Sequence, residues 1–452
     1  MQFDLLVVGG GTANKVAAYA AEQGLDTALV EPGPLGGTCL NRGCNPTKML
    51  IQYAEAANAV READAFGVDA ELHGVDFAGA VETVNAELGA IADGMHDSYE
   101  SEPDLTLVEE YVEFVGDRTL VDDDGTEYSA DRVVVAAGSR PLVPPIDGID
   151  GVDYVTSDEA IRLPALPDEL VVLGGGYIAV ELGYFFEAMG SAVTIVEMMD
   201  GLVPVEDDAV GEALTGIASE RHEVHTGYRA THAEQADGRV ALTAESEAGD
   251  ELTVEGDELL VAAGRRPNTD TLAVEAGGIE TDDRGFVVTD DQLRTSADGV
   301  WAMGDVADNG MFKHTGDYEA GIAKRNVVDG EAVAADFTAV PHAIFTEPQA
   351  AAVGANEGDL QEAGRDYVVG RVDFADTAIG RAQAVDEGFV KVLADPESRA
   401  ILGCHVVAPE AASMIHEVST AMRAGLDADD VAGAIHAHPS LPRVLEAAFG
   451  QV

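Results

Sequence analysis

A run of hydrophobic residues, a glycine turn and an alanine-rich stretch follow one another twice along the chain. The first copy is FDLLVVGGGTANKVAAYAAEQGLDTALVE, which ends at Glu31. The second copy is ELVVLGGGYIAVELGYFFEAMGSAVTIVE, which ends at Glu197. Each copy predicts a strand, a helix and a second strand, the βαβ unit that binds dinucleotides. Because both copies close with an acid at the spacing that suits a ribose, we prefer this interpretation to ordinary turn glycines.

The glycines of each turn allow a pyrophosphate to approach the N-terminus of the following helix. They are Gly9 and Gly11 in the first copy, and Gly174 and Gly176 in the second. The third position of the motif is not glycine in either copy, being Asn14 in the first and Ala179 in the second. Alanine is a common variant there. Asparagine indicates either a looser approach of helix to strand or an additional hydrogen bond.

Two further phrases recur, DRVVVAAGSRP ending at Pro141 and ELLVAAGRRP ending at Pro267. Each is typical of a buried strand that leaves one nucleotide-binding domain for another, with Gly138 and Gly264 at the two crossings. The first nucleotide-binding domain is therefore predicted to be interrupted by the second.

The resulting fold class is α/β, with two Rossmann-like dinucleotide-binding domains and a C-terminal α+β domain. We predict the first domain over residues 1–146 and 267–338, and the second over residues 147–266. The last domain is predicted over residues 339–452, where strands such as FVKVLAD and ILGCHVVA are followed by the helix ASMIHEVSTAMRAG.

The composition adds an extreme charge. Among 452 residues, 84 are acidic and 25 basic, for a formal net charge of -59, while 46% are hydrophobic. The acids are dispersed among periodic apolar segments, which argues against disorder and favours adaptation to a salty cytoplasm, where surface repulsion is screened. Nucleic acid and anionic membranes are disfavoured as partners. No apolar run reaches membrane-spanning length, and the N-terminus starts directly as a strand, so we expect a cytoplasmic protein.

The segment GGTCLNRGCNPTKM follows the first βαβ unit and contains Cys39 and Cys44. A regular helix would point this i, i+5 pair in diverging directions, so a distorted segment is required to bring the sulfurs together, and Pro46 is expected to limit the helix locally. A zinc site is disfavoured because no second pair exists and Cys404 is distant in sequence. Two inert buried cysteines are the other alternative, which the neighbouring dinucleotide unit argues against. No metal is predicted.

These motifs, together with TSADGVWAMGD ending at Asp305 and HAHPS containing His438, resemble the class I pyridine nucleotide-disulfide oxidoreductases along essentially the whole chain. Glutathione reductase, dihydrolipoamide dehydrogenase, mercuric reductase and mycothione reductase belong to that family. The resemblance implies a glutathione reductase-like fold whose first domain binds FAD, whose second binds NAD(P)H, and whose last domain forms a homodimer with an active site shared between subunits.

The resemblance also implies catalytic roles. Cys44 becomes the thiolate beside the flavin, and Cys39 the interchange thiolate that attacks a substrate disulfide after electrons from NAD(P)H have opened the Cys39–Cys44 bond through FAD. His438, reaching the disulfide of the other subunit, protonates the departing thiol. Lys48 is expected near the flavin, paired with Glu181 of the second domain.

Further positions are implied to bind the cofactors. Tyr177 is expected to be an aromatic gate that the nicotinamide displaces, and Asp305 to bind the ribityl chain. His405, His416 and His436 receive no role. The full set expected to bind the two cofactors is Gly9, Gly11, Asn14, Glu31, Gly37, Thr38, Lys48, Gly138, Asp305, Gly174, Gly176, Tyr177, Glu181, Glu197 and Gly264.

One position departs from the family pattern, which has a glutamate five residues after the active-site histidine. Here that position is Arg443. Glu446, one turn further along the helix expected after Pro442, is predicted to pair with Arg443 or partly to replace the missing carboxylate. Arg443 either faces solvent or, with Arg42 of the redox segment, supplies positive charge for the carboxylates of a substrate.

The substrate follows from smaller signals. FKHTGDYEAG around His314, PTKM and Asn14 are more similar to mycothione reductase than to dihydrolipoamide dehydrogenase, and no cysteine follows Cys404, unlike in mercuric reductases. Since γ-glutamylcysteine is the small thiol expected in salt-adapted archaea, we predict a bis-γ-glutamylcystine reductase. Dihydrolipoamide dehydrogenase and a non-catalytic FAD-binding scaffold are the alternatives.

MMDGLVP after Glu197 has no base for a 2′-phosphate and favours NADH, whereas small-thiol reductases of this family favour NADPH.

Overall fold

The computed structural model describes residues 1–452. Its strands are β1 (Gln2–Val8), β2 (Thr27–Val30), β3 (Leu105–Val108), β4 (Val112–Gly116), β5 (Thr119–Asp122), β6 (Glu127–Val135), β7 (Ser139–Pro141), β8 (Glu169–Leu173), β9 (Ala192–Val196), β10 (Glu223–His225), β11 (Tyr228–Ala236), β12 (Arg239–Ser246), β13 (Glu251–Gly256), β14 (Glu258–Val261), β15 (Arg265–Pro267), β16 (Val300–Ala302), β17 (His342–Ile344), β18 (Gln349–Gly354), β19 (Val368–Asp373), β20 (Phe389–Ala394) and β21 (Ile401–Ala408).

The chain also forms α-helices between these strands. They are α1 (Asn14–Glu22), α2 (Gly37–Asn41), α3 (Cys44–Arg61), α4 (Phe77–Glu100), α5 (Ser157–Ala160), α6 (Tyr177–Met189), α7 (Asp208–Arg221), α8 (Lys313–Ala323), α9 (Glu357–Glu362), α10 (Ala378–Ala382), α11 (Ala411–Arg423), α12 (Ala428–Ala432) and α13 (Pro442–Phe449). None of them combines the length and the apolar composition that crossing a membrane requires.

The first of two compact units contains Met1–Met49, Val81–Leu142 and Gly264–Phe337. Its main sheet has the order β3-β2-β1-β6-β5-β4, with β16 also paired to β6. Strands β1, β2, β3, β6 and β16 run parallel, whereas β4 and β5 are antiparallel additions. Buried hydrophobic runs such as that of β2 are typical of parallel strands with both faces covered. The predicted first βαβ unit is present as β1, α1 and β2.

The second compact unit contains Leu50–Ala80, Val143–Ala263 and Thr338–Val452. It holds a parallel sheet with the order β10-β9-β8-β14, in which β8, α6 and β9 form the second predicted βαβ unit. An antiparallel sheet, β11-β12-β13, follows in the chain. The predicted α/β class is confirmed, while the domain boundaries at residues 146, 266 and 338 stay predictions.

The C-terminal part of the second unit is an antiparallel sheet with the order β17-β18-β21-β20-β19. Its core includes Val390, Val406, Ile415, Leu445 and Phe449, which come from β20, β21, α11 and α13. Every residue of β20 and β21 is buried, so these strands have no alternating polar face. This arrangement is the predicted α+β architecture.

Candidate active site

The first glycine of each nucleotide-binding turn lies directly against the end of a neighbouring strand. Gly9 has φ +117°, and a Cβ atom there would lie 2.1 Å from the carbonyl oxygen of Ala136. Gly174 has φ +111°, and its Cβ would lie 2.5 Å from the carbonyl oxygen of Ala262. Both alanines belong to the recurring AAG phrases. The backbone of each AAG segment thus lies so close to the first glycine of the turn that a residue with a side chain could not replace that glycine.

The middle glycine of each GGG run also has a defined role, which was not predicted from the sequence. A Cβ on Gly10 would lie 2.7 Å from Cγ of Glu31, and one on Gly175 would lie 2.8 Å from Cγ of Glu197. Oε2 of Glu31 accepts a hydrogen bond from the N–H of Gly10 at 2.8 Å. The acid that closes each βαβ unit thus packs on the turn, and the third consecutive glycine was the available signal.

Asn14 makes the additional hydrogen bond that was one of its two interpretations. Its buried Nδ2 donates to the carbonyl oxygen of Gly10 at 3.1 Å. The other side of the turn meets the redox segment, because a Cβ on Gly37 (φ +61°) would lie 2.6 Å from Cα of Gly11. Backbone therefore packs on backbone, which holds α2 and its Cys39 against the turn.

The redox segment is broken between its two cysteines, as predicted. Helix α2 carries Cys39 and ends with the N–H of Arg42 donating to the carbonyl oxygen of Thr38 at 2.8 Å. Helix α3 then begins at Cys44. The expectation that Pro46 limits the helix is wrong, since α3 runs on to Arg61. Proline is tolerated in the first turn of a helix, where its missing N–H has no intrahelical acceptor.

The side chains of Cys39 and Cys44 lie within hydrogen-bonding contact of each other. The pKa of the Cys39 thiol is raised by its hydrogen bond with Cys44 and then by burial, while the charge of Lys313 acts in the opposite direction. Sγ of Cys39 also lies 3.6 Å from Oδ1 of Asn45. Cys404 differs, since it is fully buried in β21 and its pKa is raised chiefly by that burial. A pair of thiols in contact suits redox chemistry, and a thiol kept neutral in a core does not.

Asp305 is held by a chain of hydrogen bonds. Its Oδ2 accepts from Oγ of Ser139 at 2.6 Å, and Ser139 Oγ accepts from Nε of Arg265 at 2.8 Å. The antiparallel pairing of β7 with β15 brings Ser139 and Arg265 together, directly after Gly138 (φ +68°) and Gly264 (φ +120°). The two glycines were predicted from the sequence, whereas the roles of the serine and arginine that follow them were not.

A buried acid on α8 supports the same turn. Oε2 of Glu319 accepts from the N–H of Gly304 at 2.6 Å, and Oε1 accepts from Nδ2 of Asn309 at 2.8 Å. The pKa of Glu319 is raised, chiefly because its carboxyl group is buried. This residue was also missed, and its only signal was an acid on the apolar side of FKHTGDYEAG.

In the second unit, α6 begins at Tyr177, immediately after the glycine turn. The Tyr177 hydroxyl donates to the carboxylate of Glu206. Glu181, one turn further along, is buried, and its Oε1 accepts from the backbone N–H of Phe345 at 3.0 Å. Lys48 lies on α3 in the first unit, and its pairing with Glu181 stays a prediction.

The segment around His438 contains two histidines in different settings. His438 is exposed, whereas Nε2 of His436 lies 2.7 Å from Oε1 of Glu417. Oε2 of Glu446 lies 3.5 Å from Nδ1 of His436 and 3.6 Å from Nη1 of Arg443. The predicted pairing of Glu446 with Arg443 is present. The catalytic role of Glu446 beside His438 stays a prediction, and the histidine that its Oε2 approaches in this structure is His436.

Residues 3–321 match the family described as pyridine nucleotide-disulphide oxidoreductase, and residues 340–449 match its dimerisation domain. The chain belongs to this family. As a pyridine nucleotide-disulphide oxidoreductase, it is expected to form the homodimer that the dimerisation domain indicates.

Several pyridine nucleotide-disulphide oxidoreductases are similar over nearly the full chain. Dihydrolipoyl dehydrogenase 2 of Haloarcula marismortui is 38% identical, over 98% of this chain and 95% of that protein. Mycothione reductase of Mycobacterium tuberculosis is 37% identical, over 99% and 98%. The solved Cu(II) complex of the HOCl-induced flavoprotein disulfide reductase RclA of Escherichia coli has a TM-score of 0.88 at 28% identity, and each chain is covered completely.

Members of the family depend on FAD and take electrons from NAD(P)H. The first unit fits FAD, because the turn at Gly9, Gly10 and Gly11 has no side chains at the N-terminus of α1, where a pyrophosphate binds. Asp305 offers a carboxylate already oriented by Ser139. When bound, FAD supplies the two-electron chemistry that connects a nicotinamide with a disulfide. The protein's own residues bind and orient it.

Proposed function

We propose that this flavoprotein disulfide reductase reduces bis-γ-glutamylcystine, a small disulfide with several carboxylates, in a salt-rich cytoplasm. The observation that carries the proposal is the positive charge beside Cys39. Only five of the 25 basic residues are lysines, and one of them, Lys313, is close enough to Cys39 for its charge to oppose the rise in pKa that Cys44 and burial cause in the Cys39 thiol. Arg42 is exposed on the break between α2 and α3.

Lys313 belongs to a small ionic cluster at the start of α8. Its Nζ lies 2.5 Å from Oδ1 of Asp317, which also lies 2.7 Å from Nζ of Lys15. Two lysines share one carboxylate, so the cluster keeps one positive charge in excess. A carboxylate-bearing disulfide gains from such a cation even where bulk attraction is screened by salt, since a direct contact does not depend on long-range fields. Uncharged lipoamide gains nothing from it.

The proposed roles of the reacting residues follow the family. Cys39 attacks the substrate disulfide, forms a mixed disulfide with one half and releases the other half as a thiol. Cys44 then attacks Cys39, which restores the Cys39–Cys44 disulfide and releases the second thiol. His438 of the other subunit donates the proton to the departing sulfur. The nicotinamide ring displaces the side chain of Tyr177. Lys48 pairs with Glu181.

Dihydrolipoamide dehydrogenase is the second candidate function. It is favoured by the 38% identity to a haloarchaeal protein of that name. The preference for NADH or NADPH partly distinguishes the two candidate functions. Glu197 is buried and is followed by no basic residue in MMDGLVP, which favours NADH, whereas small-thiol reductases of the family favour NADPH.

Steady-state kinetics in molar KCl tests the proposal, with bis-γ-glutamylcystine, oxidised glutathione and lipoamide as substrates and with both nucleotides. We expect the highest kcat/KM for bis-γ-glutamylcystine. Lys313→Gln is expected to raise its KM severalfold and to leave the KM for lipoamide unchanged. Lys324→Gln is the matched control, because Lys324 loses the same charge but lies over the ring of Tyr19 at 5.4 Å.

Preference for lipoamide with NADH as donor would assign the chain to the second candidate. A non-catalytic scaffold is tested by the visible spectrum during reduction. An active enzyme develops a long-wavelength thiolate-to-flavin band after addition of two electrons, and a scaffold does not.

A further inference from the structure

The Tyr177 side chain is held by a hydrogen bond and a ring contact at the entrance of the second glycine turn. Tyr177 is the first residue of α6 and directly follows Gly176. Its hydroxyl donates to the carboxylate of Glu206, and its ring stacks on His342 with centroids 6.0 Å apart and planes 17° apart. Since a nucleotide pyrophosphate binds at the N-terminus of such a helix, a bound nucleotide lies beside this side chain.

Glu206 is a strong acceptor. Its side chain is 4% exposed, and its Oε1 also lies 2.8 Å from Nε2 of His342. Burial opposes ionisation, but the hydrogen bond and charge of His342 and the hydrogen bond of Tyr177 together lower the pKa of Glu206. The tyrosine hydroxyl therefore bonds to a carboxylate, which makes a stronger hydrogen bond than a neutral acceptor does.

The loop that carries Glu206 is tied to the glycine turn itself. The N–H of Val203 donates to the carbonyl oxygen of Gly175 at 2.8 Å, and the N–H of Glu206 donates to the carbonyl oxygen of Val203 at 2.9 Å. The next residue, Asp207, is completely buried and lies 2.6 Å from Nζ of Lys391 on β20. Glu206 is thus fixed from both sides, and it cannot follow Tyr177 if the tyrosine ring moves.

We propose that Glu206, together with His342, is a positioning residue that holds Tyr177 across the nicotinamide position, so that binding of the nicotinamide ring must break the Tyr177–Glu206 hydrogen bond. The inference rests on the proposed displacement of Tyr177 by the nicotinamide. Breaking the Tyr177–Glu206 bond therefore reduces the binding free energy of the nicotinamide end of the nucleotide, while the adenosine end binds without breaking it.

Binding of two probes to the oxidised holoenzyme in molar KCl tests this inference. The first is the non-reducing 1,4,5,6-tetrahydro form of the preferred nucleotide, and the second is ADP-ribose, which lacks the nicotinamide ring. Tyr177→Phe keeps the ring and removes only the hydroxyl. We expect its Kd for the tetrahydro nucleotide to fall roughly five- to tenfold, the equivalent of one net hydrogen bond, with the Kd for ADP-ribose unchanged.

Glu206→Gln should act in the same direction but less strongly, because its neutral amide oxygen still accepts the Tyr177 hydroxyl in a weaker bond. The double variant should bind no more tightly than Tyr177→Phe alone, in which that bond is already lost. Tyr184→Phe is the matched control. Tyr184 lies on the same helix and donates to a carboxylate, that of Glu347, at 2.9 Å, but it lies away from the glycine turn. Its variant should leave both Kd values unchanged.

An unchanged or raised Kd for the tetrahydro nucleotide in Tyr177→Phe, with ADP-ribose still bound, overturns the inference alone. Additive effects of Tyr177→Phe and Glu206→Gln overturn it as well. Failure of the wild-type enzyme to bind ADP-ribose removes the nucleotide site from this turn, and then the proposed function falls together with the inference.

Discussion

Nη1 of Arg443 lies 3.6 Å from Oε2 of Glu446, one turn along α13. The arginine side chain is 46% exposed, and exposed pairs of this kind contribute about 0–1 kcal/mol. The guanidinium group of Arg443 therefore remains able to bind a substrate carboxylate. The family has a glutamate at this position.

We expect Arg443→Gln to raise the KM for bis-γ-glutamylcystine about fivefold with little change in kcat, because a charged hydrogen bond in the substrate complex is lost. Kinetics with lipoamide is the control, since lipoamide has no carboxylate and its KM should not change. An unchanged KM for bis-γ-glutamylcystine would eliminate the carboxylate-binding role of Arg443.

The two histidines of HAHPS allow the catalytic role to be separated from a structural one. His438→Gln should lower kcat about 100-fold or more, because general acid catalysis is lost, with a small effect on KM. His436→Gln is the matched variant. The side chain of His436 is 8% exposed and is held by Glu417, so this change should lower the melting temperature and affect kcat less. Measuring kcat and melting temperature for both variants distinguishes them, and the reverse pattern would transfer the catalytic role to His436.

Sequence patterns predicted those features that depend on residues close together in the chain. The GGG turns and the closing acids Glu31 and Glu197 were predictable, because a strand, a turn without side chains and a helix leave a continuous pattern. The i, i+3 pair of Arg443 and Glu446 was predictable from the helix that follows Pro442.

Contacts between distant segments left no such pattern. Glu206 and His342 are 136 positions apart, and His436 lies 19 positions from Glu417, so nothing in the sequence indicated these pairs. Glu446 was therefore assigned to orient His438, although it contacts the neighbouring histidine, His436. Pro46 was misinterpreted for a different reason, since its effect depends on where α3 begins.

The cysteines should differ in their spectra. Cys44→Ser is expected to abolish disulfide reduction and leave FAD bound with an ordinary oxidised spectrum. Cys39→Ser is expected to abolish reduction too, but to leave a thiolate at Cys44 and a long-wavelength band. The reason is that only Cys44 is proposed to contact the flavin. Absorption spectra of the two purified variants check this, and identical spectra would show that the roles are assigned wrongly.

Low salt should inactivate the enzyme. A formal charge of -59 produces strong repulsion when the Debye length grows from about 3 Å at 1 M salt to about 30 Å at 0.01 M. We expect dilution into millimolar KCl to lower the melting temperature and to dissociate the dimer, measured by thermal unfolding and light scattering. Restoring ionic strength with NaCl is the control for a specific potassium effect. Full activity and an unchanged melting temperature in millimolar salt would contradict the prediction.

Acid should destabilise the protein through His222, which directly follows α7. Its Nδ1 is buried and has no hydrogen-bond partner. Burial, and then the neighbouring charge of Arg221, lowers the pKa of His222 from 6.5 to about 4. Between these two values the unfolded chain binds a proton that the folded chain does not, so the stability contributed at neutral pH is lost as the pH falls. At pH 5 the loss is about 2 kcal/mol.

His222→Leu removes the titrating imidazole and replaces it with an apolar side chain of similar size. We therefore expect the difference between the urea unfolding midpoints at pH 7 and pH 5 to be smaller in His222→Leu than in the wild-type protein. His73→Leu is the control, because its side chain is 83% exposed and should leave the difference unchanged. If His222→Leu lost as much stability between pH 7 and pH 5 as the wild-type protein does, then another group, and not the buried imidazole of His222, would be responsible for the acid sensitivity.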